Sequence, residues 1–368
     1  MNILYIAPSF IPSRTANSVH VMKMCQAIAY QGHKVSLITR GIKNNKVNDY
    51  DYYGVKPNFK LYKLKINNYR FISSFIFSIY IYYKIIIIKP ELIYSRHRFS
   101  LIVTRFFNHI PMIFEDHSPP SGIYKSLIKN SINSNIYKIV LISNALENLY
   151  KKILPSIKRV KVVIAHDGAD PINKKIVQSK NINLKINKSK INCGYIGHLY
   201  EGRGIGIILE IAKYLTETSF HIVGGNESDV NFWRSKNMRT NVIFHGYVNN
   251  NKIPSILNQF DILLAPYQKQ VLLENKLNTA QWMSPLKIFE YMAAGKPIIC
   301  SDLLVIKEIL THRVNALLVN SDNPKEWVQS IIEVCSDSSL SNQLGQRARI
   351  DLLKDFTWKI RAKKILNE

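Results

Sequence analysis

Short apolar runs alternate with stretches of helical periodicity along most of the chain. Ile3–Ala7 is apolar and reads as a buried strand, and Pro8–Ser18, with prolines at 8 and 12, reads as a loop. Val19–Tyr30 carries apolar residues at helical spacing, Gly32 and His33 close that helix, and Val35–Thr39 is the next strand. This is the βαβ opening of a parallel sheet. Leu92–Tyr94, Met112–Glu115, Ile139–Ile142 and Val160–Ala165 continue the pattern. A Lys/Asn-rich stretch near residues 173–190 reads as a linker. A second βα series follows it, with strands at Cys193–Ile196, Phe220–Val223, Val242–Phe244, Ile262–Ala265, Pro297–Cys300 and Ala316–Val319. The expected fold is α/β, with two doubly wound, Rossmann-like domains facing a central cleft. Ligands of such sheets bind outside the carboxyl ends of the strands.

Phe71–Ile88 is almost continuously apolar and would reach about 27 Å as a helix, close to the thickness of a hydrocarbon core. Strands before and after it belong to one sheet, which excludes a span. Two readings stay open: a helix packed on the sheet, or one that dips into a membrane surface, which Tyr80, Tyr82, Tyr83, Lys84 and Lys89 also suit.

At 368 residues the chain is long enough for two cores. Its four cysteines, Cys25, Cys193, Cys300 and Cys335, have no paired spacing. That argues against a disulfide framework or zinc site and for reduced thiols in the cytoplasm. The opening MNILYIAP lacks the basic and long apolar regions of a signal peptide. Formal charge is +25, and residues 1–180 hold 27 basic and 8 acidic side chains of the total. The first half is therefore expected to face an anionic membrane surface, a lipid-phosphate acceptor or an acidic polymer. No helix-turn-helix, zinc-finger or RNP-type signature accompanies the charge, so nucleic acid is not the expected partner.

Two segments carry candidate chemistry. In SPLKIFEYMAAGKP, Ser284 is a natural N-cap, Pro285 a natural first helical residue and Gly295 a natural stop. The helix start would present amides at Leu286 and Lys287, a positive dipole end and the Lys287 charge, which suits a pyrophosphate. Glu290, on the same face, would accept from ribose hydroxyls. In GHLYEGRG, glycines 197, 202 and 204 allow close backbone approach, and Arg203 sits where a strand-to-helix loop presents charge. An ordinary capped helix and a tight turn with an exposed arginine are the competing explanations.

Together these segments resemble the C-terminal domain of glycosyltransferase family four, the retaining, group 1 type of GT-B glycosyltransferase. PSFIPSRTANSVHV, GHKVSLIT, FEDHSPP, LISNALENLY, VVIAHDGAD, FHIVGGNE and VIFHGYV resemble further landmarks of that family. The resemblance implies a first domain over 1–180, a nucleotide-sugar-binding domain over 181–354, and a last helix, about 355–368, that packs back on the first domain.

By position, it implies that Arg203 and Lys287 stabilise the departing diphosphate, with His198 and the Leu286 backbone beside them. Glu290 would hold the ribose, and His117 would lie near the donor sugar, oriented by Glu115 and Asp116. The loop Ala16, Asn17, Ser18 would close over the phosphates. Gly197, Gly246, Tyr247 and Ser284 would border the donor, with Gly246 and Tyr247 near the base. His33 is expected to be structural, and His166 is open between the two roles.

Trp282 stands where the family has its first glutamate, so the contact to sugar hydroxyls is missing or passes to Gln281 or Trp282. No Asp-x-Asp motif is placed as a metal site, and metal-independent transfer without a cofactor is the expectation. The implied reaction moves a sugar from a nucleotide-sugar donor to a glycan or lipid-linked acceptor with retention, in surface polysaccharide synthesis. The enzyme would be cytoplasmic and peripheral on the membrane. A sugar-nucleotide epimerase of the same architecture and a non-catalytic nucleotide-sugar-binding protein are the alternatives. A nicotinamide dehydrogenase is disfavoured, since no Gly-x-Gly-x-x-Gly follows the first strand.

Overall fold

The computed structural model describes residues 1–41, 47–65, 70–172, 184, 186–272 and 277–367. The linker expected at 173–190 falls largely outside them. The chain divides into two compact units, Met1–His166 with Trp358–Glu368, and Asp167–Thr357. The division thus falls after His166, ahead of the boundary at 180 expected above.

The first unit is built on seven parallel strands, β1 (Asn2–Ile11), β2 (Lys34–Gly41), β3 (Lys60–Lys65), β4 (Leu92–Ser95), β5 (Met112–Asp116), β6 (Ile136–Leu141) and β7 (Lys161–Ile164), ordered β3-β2-β1-β4-β5-β6-β7. Helices cover both faces, so Ile3–Ala7 of β1 are fully buried and read as a continuous apolar run. The edge strand β3, KLYKLK, was not anticipated. Its side chains are only half-buried or exposed, as suits a strand at the sheet edge. The helices are α1 (Ala16–Ala29), α2 (Asp49–Tyr53), α3 (Arg70–Ile88), α4 (Ser100–Thr104), α5 (Ile123–Ile132) and α6 (Asn144–Ile153).

Strand β1 runs through Pro8 to Ile11, and α1 begins at Ala16, earlier than Val19, because Thr15 caps it by accepting from the Ser18 N–H. Ser18 is therefore helical and buried, not part of a loop. Its hydroxyl donates to the carbonyls of Ser13 and Thr15, at 3.0 and 2.8 Å.

The second unit repeats the plan with β8 (Ile191–Ile196), β9 (Thr218–Val223), β10 (Val242–Gly246), β11 (Ile262–Ala265), β12 (Ile298–Ser301) and β13 (Leu317–Val319), ordered β10-β9-β8-β11-β12-β13 and parallel throughout. Its helices are α7 (Ile205–Tyr214), α8 (Glu227–Ser235), α9 (Ile253–Leu257), α10 (Leu286–Ala294), α11 (Pro324–Ser336) and α12 (Ser338–Asp355). Trp327 fills the core between sheet and helices and donates its indole N–H to the Asn320 carbonyl at 3.0 Å. The last helix, α13 (Trp358–Asn367), belongs to the first unit and packs on α1. The Lys138 ammonium of β6 donates to its Ile365 carbonyl at 2.6 Å.

In each sheet the strand order reverses once, between β1 and β4 and between β8 and β11. The crevice at the carboxyl ends of such a pair is where doubly wound sheets hold ligands.

Candidate active site

In the second unit the switch point is lined by cations. Strand β8 ends at Ile196, and its Tyr195 ring is buried below that end. Strand β11 ends at Ala265, and the chain turns through Pro266 to the buried Tyr267. Helix α10 enters from the same side. Its first-turn Lys287 sends its ammonium over both rings, 3.7 Å from the centroid of Tyr195 and 4.9 Å from that of Tyr267. The Arg203 guanidinium lies 5.6 Å from the Tyr267 centroid, so one ring carries both cations. The structure thus brings Arg203 and Lys287 together.

Lys287 is 8% exposed, and its Nζ has no hydrogen-bond partner among the described residues. Arg203 Nε is buried and likewise unpartnered among them. Burial, then the Arg203 charge, pulls the Lys287 pKa well below the ordinary lysine value, while the Glu290 charge acts weakly the other way. A buried charge normally has a partner. Among the described residues neither side chain forms an ion pair, and the nearby Glu290 charge only partly offsets the positive field.

The helix start adds to the field. Ser284 is not the N-cap: its hydroxyl accepts from the Asp167 N–H at 2.8 Å. The cap position falls to Pro285, where no side chain satisfies the leading amides of α10. The amides at Leu286 and Lys287 therefore have no side-chain cap, and the positive helix end adds to the field of the two cations. Gly295 closes the helix in the left-handed conformation, at φ +64°.

The loop before α7 is shaped by the protein itself. A Cβ at Gly202 or Gly204 would lie 1.9 Å from the Gln270 carbonyl oxygen or 1.8 Å from that of Pro266. These glycines therefore admit the close approach of the 266–271 segment. Gly197 does border the pocket: a Cβ there would meet Lys287 Nζ at 3.0 Å. The His198 ring stacks on Tyr200 with centroids 4.8 Å apart, and its carbonyl accepts from the Tyr195 hydroxyl at 2.6 Å. Glu290 is half-buried one turn beyond Lys287, with Asn250 Nδ2 at 3.5 Å. Gly246 ends β10, where its carbonyl accepts from the Gly224 N–H at 2.7 Å, and Tyr247 follows half-buried. Trp282 is buried in the turn before α10, whereas Gln281 is exposed.

The first unit places a second polar cluster at the ends of β4 and β5. His117 follows β5, and its Nε2 is 2.5 Å from Glu115 Oε1 and 2.9 Å from an Arg96 nitrogen. Glu115 orients the ring. Asp116 instead accepts from the His117 backbone N–H at 2.9 Å and is clasped by Arg98 and Tyr150. Glu115 is fully buried. It also meets Arg361 of α13 at 2.9 Å, His20 of α1 at 3.1 Å and Arg96 at 3.7 Å, and accepts from the Tyr94 hydroxyl. Burial alone would raise its pKa, but Arg361, His20 and Arg96 outweigh this and hold it well below the carboxylate range.

No motif in the sequence marks His20, Arg96, Arg361, Tyr195 or Tyr267 as site residues. Ala16 and Asn17 sit exposed at the start of α1. His33 stands at the surface beside the N-terminal ammonium, its Nδ1 at 3.4 Å from that nitrogen. The His166 carbonyl accepts from Arg361 at 2.8 Å.

Residues 190–337 match the family of group 1 glycosyl transferases. The fold is that of the GT-B glycosyltransferases. Sucrose-phosphate synthase from Thermosynechococcus elongatus superposes with a TM-score of 0.76 at 15% identity, over 98% of this chain and 96% of that one. Anabaena HepE, solved in complex with UDP and glucose, gives a TM-score of 0.72 at 13% identity, over 100% of this chain and 98% of HepE. An uncharacterised 41.2 kDa protein in the cps region of Klebsiella pneumoniae is 24% identical over 47% of this chain and 45% of its own length. The matches to the curated relatives therefore span about half of each protein. The matched family segment holds the whole cationic pocket: Tyr195, Gly197, Arg203, Tyr267 and Lys287.

Proposed function

We propose that this chain is a glycosyltransferase that takes a sugar from a nucleotide-diphosphate donor and passes it to a glycan or lipid-linked acceptor with retention of configuration. Surface polysaccharide assembly is the setting that the Klebsiella cps-region relative suggests. The observation that carries the reading is the Lys287 ammonium, without a hydrogen-bond partner among the described residues and facing the same tyrosine as Arg203 at the lip of a helix with no side-chain cap.

In such a transfer, negative charge develops on the departing diphosphate. Arg203, the Lys287 amine that the diphosphate helps to protonate, and a set of free amides in a dry pocket stabilise that charge, the largest contribution available to an enzyme of this kind. They take the place of a metal, and no separate cofactor enters the scheme. Glu290, one turn along, holds the ribose. Gly246 and Tyr247 border the base, and Trp282 and His198 shape the donor side. In the first unit His117, steadied by Glu115, contacts the donor sugar, and Ala16 and Asn17 offer the leading end of α1 to the phosphates. The basic first unit meets an anionic membrane from the cytoplasmic side.

The test is a melting-temperature panel with UDP-, GDP-, ADP- and CMP-sugars, because a ligand that binds only the folded state stabilises it. One nucleotide class should raise the midpoint in the wild type and fail to do so in Lys287→Met. The product anomer, read by NMR, then decides retention. A panel that moves no midpoint would refute the donor site.

A further inference from the structure

Helix α3 is apolar on both sides. One face, Ser73, Phe77, Ile81 and Ile85, is buried against the first unit. The other is bare. Phe75 is 68% exposed, Ile79 55%, Tyr83 58% and Ile87 52%, with Tyr82 and Ile86 exposed between them. Their spacing is helical, so they form one stripe and not a scatter. The stripe continues off the helix, since the Tyr82 ring lies 6.4 Å from Phe106, which is 74% exposed just after α4. A helix that is apolar all round is ordinarily covered all round, and an exposed patch of this kind marks an interaction site.

Charge decides what covers it. Lys84 lies among the tyrosines, with its ammonium 4.3 Å from the Tyr62 ring centroid. Lys89 follows the helix and Arg105 precedes Phe106, both exposed. Between Asp51 and Glu147 the acidic residues are Glu91, Glu115 and Asp116, and the last two are buried. A second copy docking by the same face would set these cations against their own kind, because a two-fold interface is self-complementary. An anionic bilayer answers both features. Apolar side chains enter the acyl boundary, tyrosines sit at headgroup level, and lysine and arginine meet the lipid phosphates. Among the described residues no helix is long and apolar enough to cross a membrane, so the helix lies in the surface plane.

We propose that the outer face of α3, extended by Phe106, inserts into the surface of an anionic bilayer and fixes the first unit against the plane that holds a lipid-linked acceptor. This deepens the membrane contact proposed above and rests on it.

The experiment is co-sedimentation of the full chain with vesicles of phosphatidylcholine, with and without phosphatidylglycerol. The wild type is compared with the triple variant Phe75→Ser, Ile79→Ser, Phe106→Ser. These side chains are exposed, so the variant keeps its melting midpoint. The wild type should bind the mixed vesicles and keep part of that binding at high salt, because screening weakens the charges but not the apolar insertion. The triple variant should lose at least about tenfold in partitioning. Equal binding by the variant, or no binding by the wild type, overturns the proposal. So does a wild-type dimer that the variant converts to monomer while neither sediments, which would assign the face to a second copy. The nucleotide-induced midpoint shift, read on the same samples, reports the donor site separately. A kept shift with no sedimentation sinks the membrane face alone, and the converse sinks the donor site alone.

Discussion

The Lys287 ammonium rests 3.7 Å from the centroid of the Tyr195 ring, buried and without a hydrogen-bond partner among the described residues. Stability alone does not explain this arrangement. A methionine fills the same space, keeps the ring contact and removes the buried charge, and such replacements are often neutral or stabilising. Lys287→Met should therefore melt at or above the wild-type midpoint. Transfer should fall roughly 10²–10³-fold, the scale of losing one preorganised donor at a developing anion. Calorimetry and an initial-rate assay on the same preparation check both halves. A variant that loses stability and activity together would mark Lys287 as a packing residue.

Proton uptake should accompany donor binding. Burial and Arg203 push the Lys287 ammonium toward its neutral form. A diphosphate beside it favours the charged form and raises the pKa again. The complex then holds more protons than the separate partners, so affinity rises as pH falls. Titration calorimetry in buffers of different ionisation enthalpy measures the uptake directly. Lys287→Met should abolish it, whereas a buffer-independent heat in the wild type would contradict the assignment.

Arg361 and Glu115 offer a test of the first unit. Glu115 is fully buried and held ionised first by Arg361, which reaches it from α13. Arg361→Met leaves a buried carboxylate with one cation fewer, a loss of about 3–5 kcal/mol when a buried pair is broken. Because the depressed Glu115 pKa lies below its unfolded value, its contribution is present above the ordinary carboxylate range and is lost as pH falls through the folded value. The variant should thus be weakened most near neutral pH and converge on the wild type in acid. Denaturant midpoints across pH would show it. Glu115→Gln removes the anion shared by Arg361, His20, Arg96 and His117, so it should lower the midpoint of unfolding as well and also change the pH profile of transfer.

The pocket was partly legible in the chain because its parts are local. Lys287, Glu290 and Gly295 lie on one short helix whose start and stop residues are readable, and Arg203 sits in a glycine-marked turn. The capping detail was not legible, since Ser284 is drawn to the Asp167 N–H, a partner 117 positions away. Tyr195 and Tyr267 went unseen for a similar reason. Each reads as an ordinary aromatic at a strand end until the β8–β11 pairing sets them under the same ammonium. Arg361 and Glu115 are 246 positions apart, beyond any periodicity. Strand β3 was passed over because KLYKLK is mostly polar, and only its seat at the sheet edge makes it a strand. Helix α3 was recognised by its apolar run, but period alone does not say which face the sheet covers.

His97 adds a second acid-sensitive group to the first unit, in addition to Glu115. Its ring is 5% exposed and packed between Phe77 and Phe99, with centroids 5.2 and 5.9 Å away, and Nδ1 has no partner among the described residues. Burial, then the Arg40 charge, lowers its pKa from the ordinary 6.5 to about 3. The folded state keeps the ring neutral while the unfolded chain takes up a proton. Stability therefore falls as pH drops from about 6.5 toward about 3, and the slope ends once both states are protonated. His97→Phe presents a ring of similar shape to the same aromatic neighbours and cannot bind the proton. Its stability should decline less steeply over that window, although His221, lowered to about 4 by burial and by His245, still titrates in the second unit. Denaturant midpoints of the two proteins across the window decide the matter. Parallel acid limbs would show that the His97 ring already finds its proton acceptor in the folded chain.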